Sequence, residues 1–347
     1  EDRQDPQKVG RVRVRCLGYH TPDNVQLPTA DLPWAHPMNP ITSATISGVG
    51  QTPLGPVEGT WVVGFFQDGG EAQNPIIMGT LPGVPGGLPT KGSDKGFQDF
   101  LNGNYPKYKD ETDVNRLAVN DENLPHPTLT LRKADRDIAV GVANTDATTV
   151  VDDVVDADDG TFWNEPETTY AAQYPYNHVY ETEGGHIREY DDTVGAKRIH
   201  ERHASGSGYE IFDDGTKVTR VKKDNYEIVS ADEYCHIQGI ARQTIDKGLR
   251  VKVNNLGQAS NNYTIEVGAG ANVSVEVQNG DINLISQQGD VNLKAGKNMN
   301  IDVAQALNIK VGGAITETSK SKTESAENTH QMNANLQDIN GNKIELN

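Results

Sequence analysis

Asp191, Asp192, Asp213 and Asp214 are carboxylates from which an acid/base pair acting on a glycan could be drawn. All lie at turn signals, "EYDDT" and "IFDDGT", where Asp more often bonds to the backbone than to a substrate. His200 and His203 in "HERH" offer imidazoles three residues apart, but on a strand that spacing puts them on opposite faces, so no shared metal is expected. His178, His186 and His236 are scattered among Tyr and Ile and read as core or surface side chains. "DVVDADDG" at 153–160 fails as a calcium loop. With Gly160 at the invariant glycine, Val155 and Ala157 fall on ligand positions and Pro166 where the bidentate Glu belongs. No P-loop, HExxH, GxSxG or CxxC pattern occurs. These residues imply no catalytic, cofactor-binding or metal site, and an enzyme is not the expectation.

The chain has 347 residues, 35% of them hydrophobic, with 35 Gly and 17 Pro. No sustained i, i+3, i+4, i+7 pattern appears, so the class is all-β with many turns and scarce helix. A net charge of −18 opposes approach to nucleic acid or an anionic membrane. Cys16 and Cys235 lie far apart and make no disulfide framework, which suits assembly in a reducing compartment. The chain opens on the charged "EDRQDP" without a signal-peptide pattern or Met, so residue 1 is not taken as the biological start. The longest apolar run, "WVVGFF", is too short for a helical membrane span, and a soluble protein without an anchor is expected.

"VGRVRVRC" at 9–16 alternates strictly: Val12, Val14 and Cys16 on one face, Arg11, Arg13 and Arg15 on the other. "ATISGVG" (44–50), "GTWVVGFF" (59–66) and "NPIIMGTL" (74–81) continue a series of about five short strands, which fits a small OB-type barrel over residues 1–83. A basic, aromatic OB face can bind single-stranded nucleic acid. The competing readings of the arginines are a solvated strand face or contact with an acidic partner. Trp34, Trp61, Phe65 and Phe66 read as core or interface.

In order, "DP.K.GRVRVR", "LPWAHPMNPITSATISGVG", "GPVEGTWVVGFF" and "IIMGTLPG" resemble the OB domain of the baseplate central spike of T4-like contractile-tailed phages, a family that extends to the VgrG spikes of type VI secretion. "ETEGGHIREYDDT" (181–193) and "GSGYEIFDDGT" resemble the segment that starts the needle in the same family. The resemblance implies attachment to a trimeric hub through the OB domain, with Arg11, Arg13, Arg15, Trp34 and Trp61 as the contact candidates. Residues 84–173 read as an extended connector and 174–260 as the β-rich start of the needle. In the best-known relatives a lysozyme domain occupies the connector's place. Ninety turn-rich residues leave no room for one, so the expectation is a spike without muramidase.

Residues 261–319 repeat. The apolar positions fall in sets: Ile265 and Val267; Val273, Val275 and Val277; Ile282 and Leu284; Val291 and Leu293; Met299, Ile301 and Val303; Leu307, Ile309 and Val311; then Ile315. The first member advances by 8, 9, 9, 8, 8 and 8 residues, and only polar residues separate the members of a set. Alternation of period 2 inside a fixed longer repeat marks a β-solenoid. A single chain takes roughly 18 or more residues at about 3.3 Å each to travel around its own core, and eight cannot close a ring. Three chains contribute about 24 between them, so the repeat predicts an intertwined triple-stranded β-helix whose homotrimer core is formed by those sixteen residues. A bundle of two-sheet sandwich strands is the alternative, but its strands would vary in length. Residues 320–347 are polar and read as the tip. His330 stands alone there, where some related spikes carry a His-x-His iron site, so a blunt end accepting a PAAR-type tip protein or a fold-back closure is expected.

The functional expectation is a structural central spike in the virion tail baseplate, a trimeric needle driven through the host outer membrane by sheath contraction. A VgrG-type secretion spike is the alternative, although a large hub-like domain usually precedes the OB barrel in such proteins and none lies in this sequence. A β-helical tailspike glycanase is the enzymatic rival.

Overall fold

A computed structural model describes residues 1–88, 99, 102–107, 110–120, 154–155, 162–163, 166, 168–243, 245, 247–253, 262–327 and 329–333. Most of the "DVVDADDG" segment and the terminal "NKIELN" lie outside them. The chain divides into two units, Glu1–Arg250 and Val251–Asn347. Regular structure among the described residues is almost all β; the single α-helical turn is α1, Arg116–Val119.

The first sheet of the first unit joins β1 (Val12–Arg13), β2 (Trp34–Pro37), β3 (Trp61–Phe66) and β4 (Pro75–Leu81) in the order β1-β2-β4-β3. β2 and β4 run parallel; the other pairs are antiparallel. Val12, Val14, Ala35 and Ile77 form its core, with Cys16 and Val62 packed against them. The alternation read in "VGRVRVRC" therefore holds at Val12, Val14 and Cys16. Between β3 and β4 the register slips after Val63, which leaves Met78 without an opposite residue. Gly64 permits this bulge, since a Cβ there would lie 1.9 Å from the Ile76 carbonyl oxygen.

Two strand expectations are corrected here. "ATISGVG" is a turn with one isolated bridge, Ile46 to Val49, because Thr45, Ser47, Gly48 and Gly50 all take positive φ. The missing strand is "WAHP", which Pro33 and Pro37 bracket. Proline disguises a strand in sequence but is tolerated at its ends.

A second sheet holds β7 (Asn177–Glu181), β8 (Ile187–Asp191), β9 (Arg198–Arg202), β10 (Gly208–Ile211) and β11 (Lys217–Arg220) as an antiparallel meander in sequence order. A separate two-stranded ladder pairs β5 (Val154–Val155) with β6 (Phe162–Trp163). Part of the expected connector packs on the meander. Leu117 of α1 is fully buried against Ile187, Val179 and Tyr170, and its carbonyl accepts from Tyr170 Oη (2.9 Å) and Asn177 Nδ2 (3.0 Å). Arg3 joins the two sheets: its guanidinium bonds both oxygens of Glu183 (2.6 and 3.0 Å) in the β7–β8 turn and approaches Glu58 (3.2 Å). Tyr105 also donates to Glu183. Arg3, then Tyr105, hold that carboxyl below its ordinary range, while burial and the Glu183 charge push the Tyr105 phenol up to about 12.

The second unit is different. Its described residues 251–253, 262–327 and 329–333 contain no strand ladder, and every one is exposed.

Candidate assembly surfaces

The three arginines of β1 and its flanks are occupied within the chain. Arg11 bonds Asp5 through Nε (3.1 Å) and Nη2 (2.7 Å), and the same carboxylate accepts from the backbone N–H of Gln7, Val9 and Arg11. Arg11 and those amides hold the Asp5 carboxyl well below the usual range, outweighing its desolvation. Arg13 donates to the Leu32 carbonyl, lies 3.6 Å from Asp2, and stacks 4.4 Å from the Trp34 ring. Arg15 forks onto Glu1 (2.6 and 3.0 Å), both side chains nearly out of solvent, and donates to the carbonyls of Thr21 (2.8 Å) and Leu27 (2.7 Å). Trp34 is thus roofed by guanidinium groups, and Arg15 serves as a loop tie rather than a free surface cation.

Trp61 differs. It begins an outward row with Val63 and Phe65 at i, i+2, i+4 on β3, each about half exposed, while Val62 between them points into the core. Leu81 lies opposite Trp61 on β4, and the bulged Met78 is also exposed. This gives the OB sheet a contiguous apolar outer strip, a feature that marks interaction surfaces. Phe66, next along the strand, packs edge-on to Tyr19 at 4.7 Å.

In the second unit none of the sixteen residues expected to form a core is buried within the single chain. Ile265, Val267, Val273, Val275, Val277, Ile282, Leu284 and Val291 are exposed, and so are Leu293, Met299, Ile301, Val303, Leu307, Ile309, Val311 and Ile315. Their exposure runs from 43% at Val267 to 72% at Leu284. The expected core is one shared by three chains, and the exposure of these residues in one chain has a geometric reason. Eight residues between sets are too few for the backbone to return and cover its own apolar side, so no intrachain layer lies over them. A second apolar row, Leu249, Val251 and Val253, is exposed in the same way and alternates with Arg250 and Lys252. Leu249 precedes Ile265 by 16 residues, two eight-residue steps, so the row keeps the phase of the repeat and extending that step backwards would have revealed it.

The residues considered for chemistry separate. Asp191 is buried and accepts from the Thr193 N–H (2.9 Å), whereas Asp192 is exposed near His178. Asp214 caps the β10–β11 turn by accepting from the Thr216 N–H (2.8 Å), a bond that lowers its pKa. His200 is buried with Nδ1 2.6 Å from Glu189, while His203 is exposed and bonds Ser205, so the two do face opposite sides. Sequence reasoning missed the ionic cluster around His200. Glu189 is fully buried and holds Arg198 (2.7 Å), His200 and Asn177 (3.1 Å); Arg198 reaches on to Glu210 (3.2 Å). Burial pushes the Glu189 carboxyl up, but His200 and Arg198 outweigh it and hold the group well below the usual carboxylate range. Among the described residues no group of three or more metal-ligating side chains converges.

The family described as "Gp5 N-terminal OB domain" matches residues 19–158. Residues 19–158 are thus similar to the Gp5 N-terminal OB domain. The resemblance read from "GRVRVR" to "IIMGTLPG" is thereby borne out, and the family match extends well beyond residue 83. The chain is 38% identical over 274 residues to Protein Gp5 of Vibrio phage KVP40, covering 71% of this chain and 61% of that protein. It is 46% identical over 112 residues to the pre-baseplate central spike protein Gp5 of Enterobacteria phage T4, covering 31% of this chain and 19% of that protein. The chain therefore spans about three fifths of the first relative and a fifth of the second. Both are named as phage proteins, and the second as a structural spike component.

Proposed function

We propose that this protein is the central spike of a contractile phage tail baseplate, a homotrimer whose C-terminal part is an intertwined triple-stranded β-helix. The observation that carries this reading is the exposed stripe from Ile265 to Ile315. Sixteen aliphatic or Met side chains recur every eight or nine residues, in a segment without strand partners of its own, beside a Gp5-type OB domain. Left in water, such strands present unpaired backbone and apolar side chains together. Two further copies supply both the hydrogen bonds and the core, so folding and trimerisation become one event.

The role is mechanical. Sheath contraction supplies force, the closed needle transmits it along its axis, and the tip passes through the host outer membrane. The OB domain grips a trimeric hub through Trp61, Val63, Phe65 and Leu81. Arg11, Arg13, Arg15 and Trp34 shape the domain behind that strip. A PAAR-type protein caps the polar C-terminal tip. In this reading the chain works without a muramidase: Asp191 and Asp214 accept from backbone N–H groups beside them, and the connector is turn-rich. Immunogold labelling of intact and contracted virions tests the assignment. Label at the baseplate end of the tail agrees with it, and label confined to the head, or to host cytosol alone, overturns it.

A further inference from the structure

Two carboxylates at one end of the meander receive ties from the OB side of the chain. Glu181 ends β7, and Glu183 lies in the turn to β8, within "ETEGG". That turn is closed by its own bonds. Thr182 donates its N–H to the His186 carbonyl (2.9 Å) and accepts the His186 N–H at Oγ1 (3.1 Å), and Gly185 takes the left-handed φ of +81° that the turn requires. A carboxylate carried on such a turn can fix the direction of what it binds as well as its place.

Arg3 commits every nitrogen of its guanidinium to this junction. Nη1 and Nη2 fork onto Glu183 (2.6 and 3.0 Å), and Nε reaches Glu58 (3.2 Å) in the approach to β3. The Tyr105 hydroxyl donates to the same Glu183 carboxylate. A lone exposed ion pair contributes little, but a planar fork fixes the angle at which its partners meet. Without the cation, Glu58 and Glu183 are left as like charges on the two sides of the junction.

The connector adds a second tie. Gly83, just past β4, donates its N–H to Asp113 Oδ2 (2.8 Å) and accepts the Asp113 N–H at its carbonyl (2.9 Å). The chain thus leaves the OB strands and comes back to the same place. Asn115 Nδ2 then bonds Glu181 (2.6 Å), while its Oδ1 caps α1 by accepting the Leu117 N–H (2.9 Å), and Leu117 is buried on the meander. Glu181 and Glu183 are therefore held from two directions, by Asn115 and by Arg3.

We propose that the β7–β8 turn is the joint that holds the OB sheet and the meander at one angle, with Arg3 and Glu183 as its positioning residues. The inference rests on the spike reading for its use, since a needle pushed from its OB end tilts at any free pivot along the chain. The joint itself is a property of a single chain. Its contacts come from four stretches far apart in sequence, at Arg3, Glu58, Tyr105 and Glu183, so it forms only when the OB domain, the connector and the meander are all in place.

The test replaces Val25, exposed in an OB loop, and Val194, exposed in the β8–β9 turn at the other end of the meander, by p-acetylphenylalanine in the full chain, and couples a nitroxide to each. Labelled chain is diluted with an excess of unlabelled chain, and double electron–electron resonance reads the distance within one copy. The expected result is a single narrow distance in the otherwise native chain and its loss, as a broad spread, in Arg3→Glu and in Glu183→Arg. The double variant Arg3→Glu/Glu183→Arg, which again sets one guanidinium among two carboxylates, restores the narrow distance. Glu183→Gln, which keeps the shape of the side chain, shows the same loss and carries the test where a charge reversal disturbs folding. Single variants as narrow as the native chain overturn the inference, and so does a double variant as broad as the single ones. Light scattering on the same samples separates this reading from the trimeric one. A monomer with the expected distances sinks the trimer and keeps the joint, and a trimer with unaltered single variants does the reverse.

Discussion

Replacing Glu189 by Gln tests the reading of the meander's covered face as an ionic core. The substitution preserves shape and leaves an amide oxygen to accept from Asn177, but it removes the anion opposite Arg198, whose side chain is fully buried. Arg198 retains Glu210 at 3.2 Å, a longer contact than the 2.7 Å it loses. Breaking a buried pair by removing one partner costs about 3–5 kcal/mol, because the surviving charge stays desolvated. With Glu210 as a partial substitute, the lower end, about 3 kcal/mol, is expected, equivalent to roughly a hundredfold change in an opening equilibrium. Amide hydrogen exchange of Ile187–Asp191 and Arg198–Arg202 reads it directly, since those strands open as a unit. Protection is expected to fall about a hundredfold there while the OB strand Trp61–Phe66 is unchanged. Unchanged protection in β8 and β9 refutes the ionic-core reasoning. Acid should reproduce the effect in the native chain. The Glu189 pKa is depressed on folding, so its contribution is complete above the unfolded carboxylate value of about 4.3 and is lost as pH falls through the folded value. Protection of β8 and β9 is therefore flat from about pH 8 to 5 and declines below about pH 4.

Other expectations follow from the remaining surfaces. Leu293→Asp puts three carboxylates into the needle core and abolishes the trimer in light scattering, whereas Asn292→Asp, one residue away between two stripe positions, leaves it intact. Phe65→Glu eliminates capture of the hub in a pull-down while the far-ultraviolet spectrum and OB-domain exchange stay native; loss of folding together with binding contradicts a surface role for Phe65. Gly64→Ala drives a Cβ into the Ile76 carbonyl, at 1.9 Å, and loosens the β3–β4 pairing, read as faster exchange of Trp61–Phe66.

How much of this was legible in the sequence differed by element. The OB strand at Val12 could be read from its period-2 alternation, those at Trp61 and Pro75 as short apolar runs between Gly or Pro signals, and the stripe because its spacing repeats almost without variation. β2 was hidden by its flanking prolines, and "ATISGVG" misled because Ile and Val at alternating positions look extended whatever φ the residues between them adopt. The meander resisted for another reason. "HIREYDD" and "RIHERH" carry charges in both registers, with Ile187, Glu189 and Asp191 on one face of β8 and Arg188 and Tyr190 on the other, so periodicity does not say which face is inside. Which face is covered depends on Leu117 and Tyr170, and neither sits in a periodic segment. The arginines of "GRVRVR" looked available because their partners, Glu1, Asp2 and Asp5, lie in a charged stretch with no strand signal.

The central claim is that the C-terminal stripe is one third of a needle, and the molar mass of the purified chain in solution tests it most directly. Multi-angle light scattering should return about 113 kDa, three times the 37.7 kDa of one chain, at micromolar concentration and without a concentration-dependent shift. A stable, folded species at 37.7 kDa contradicts the account, because sixteen exposed apolar residues would then have no copy to cover them.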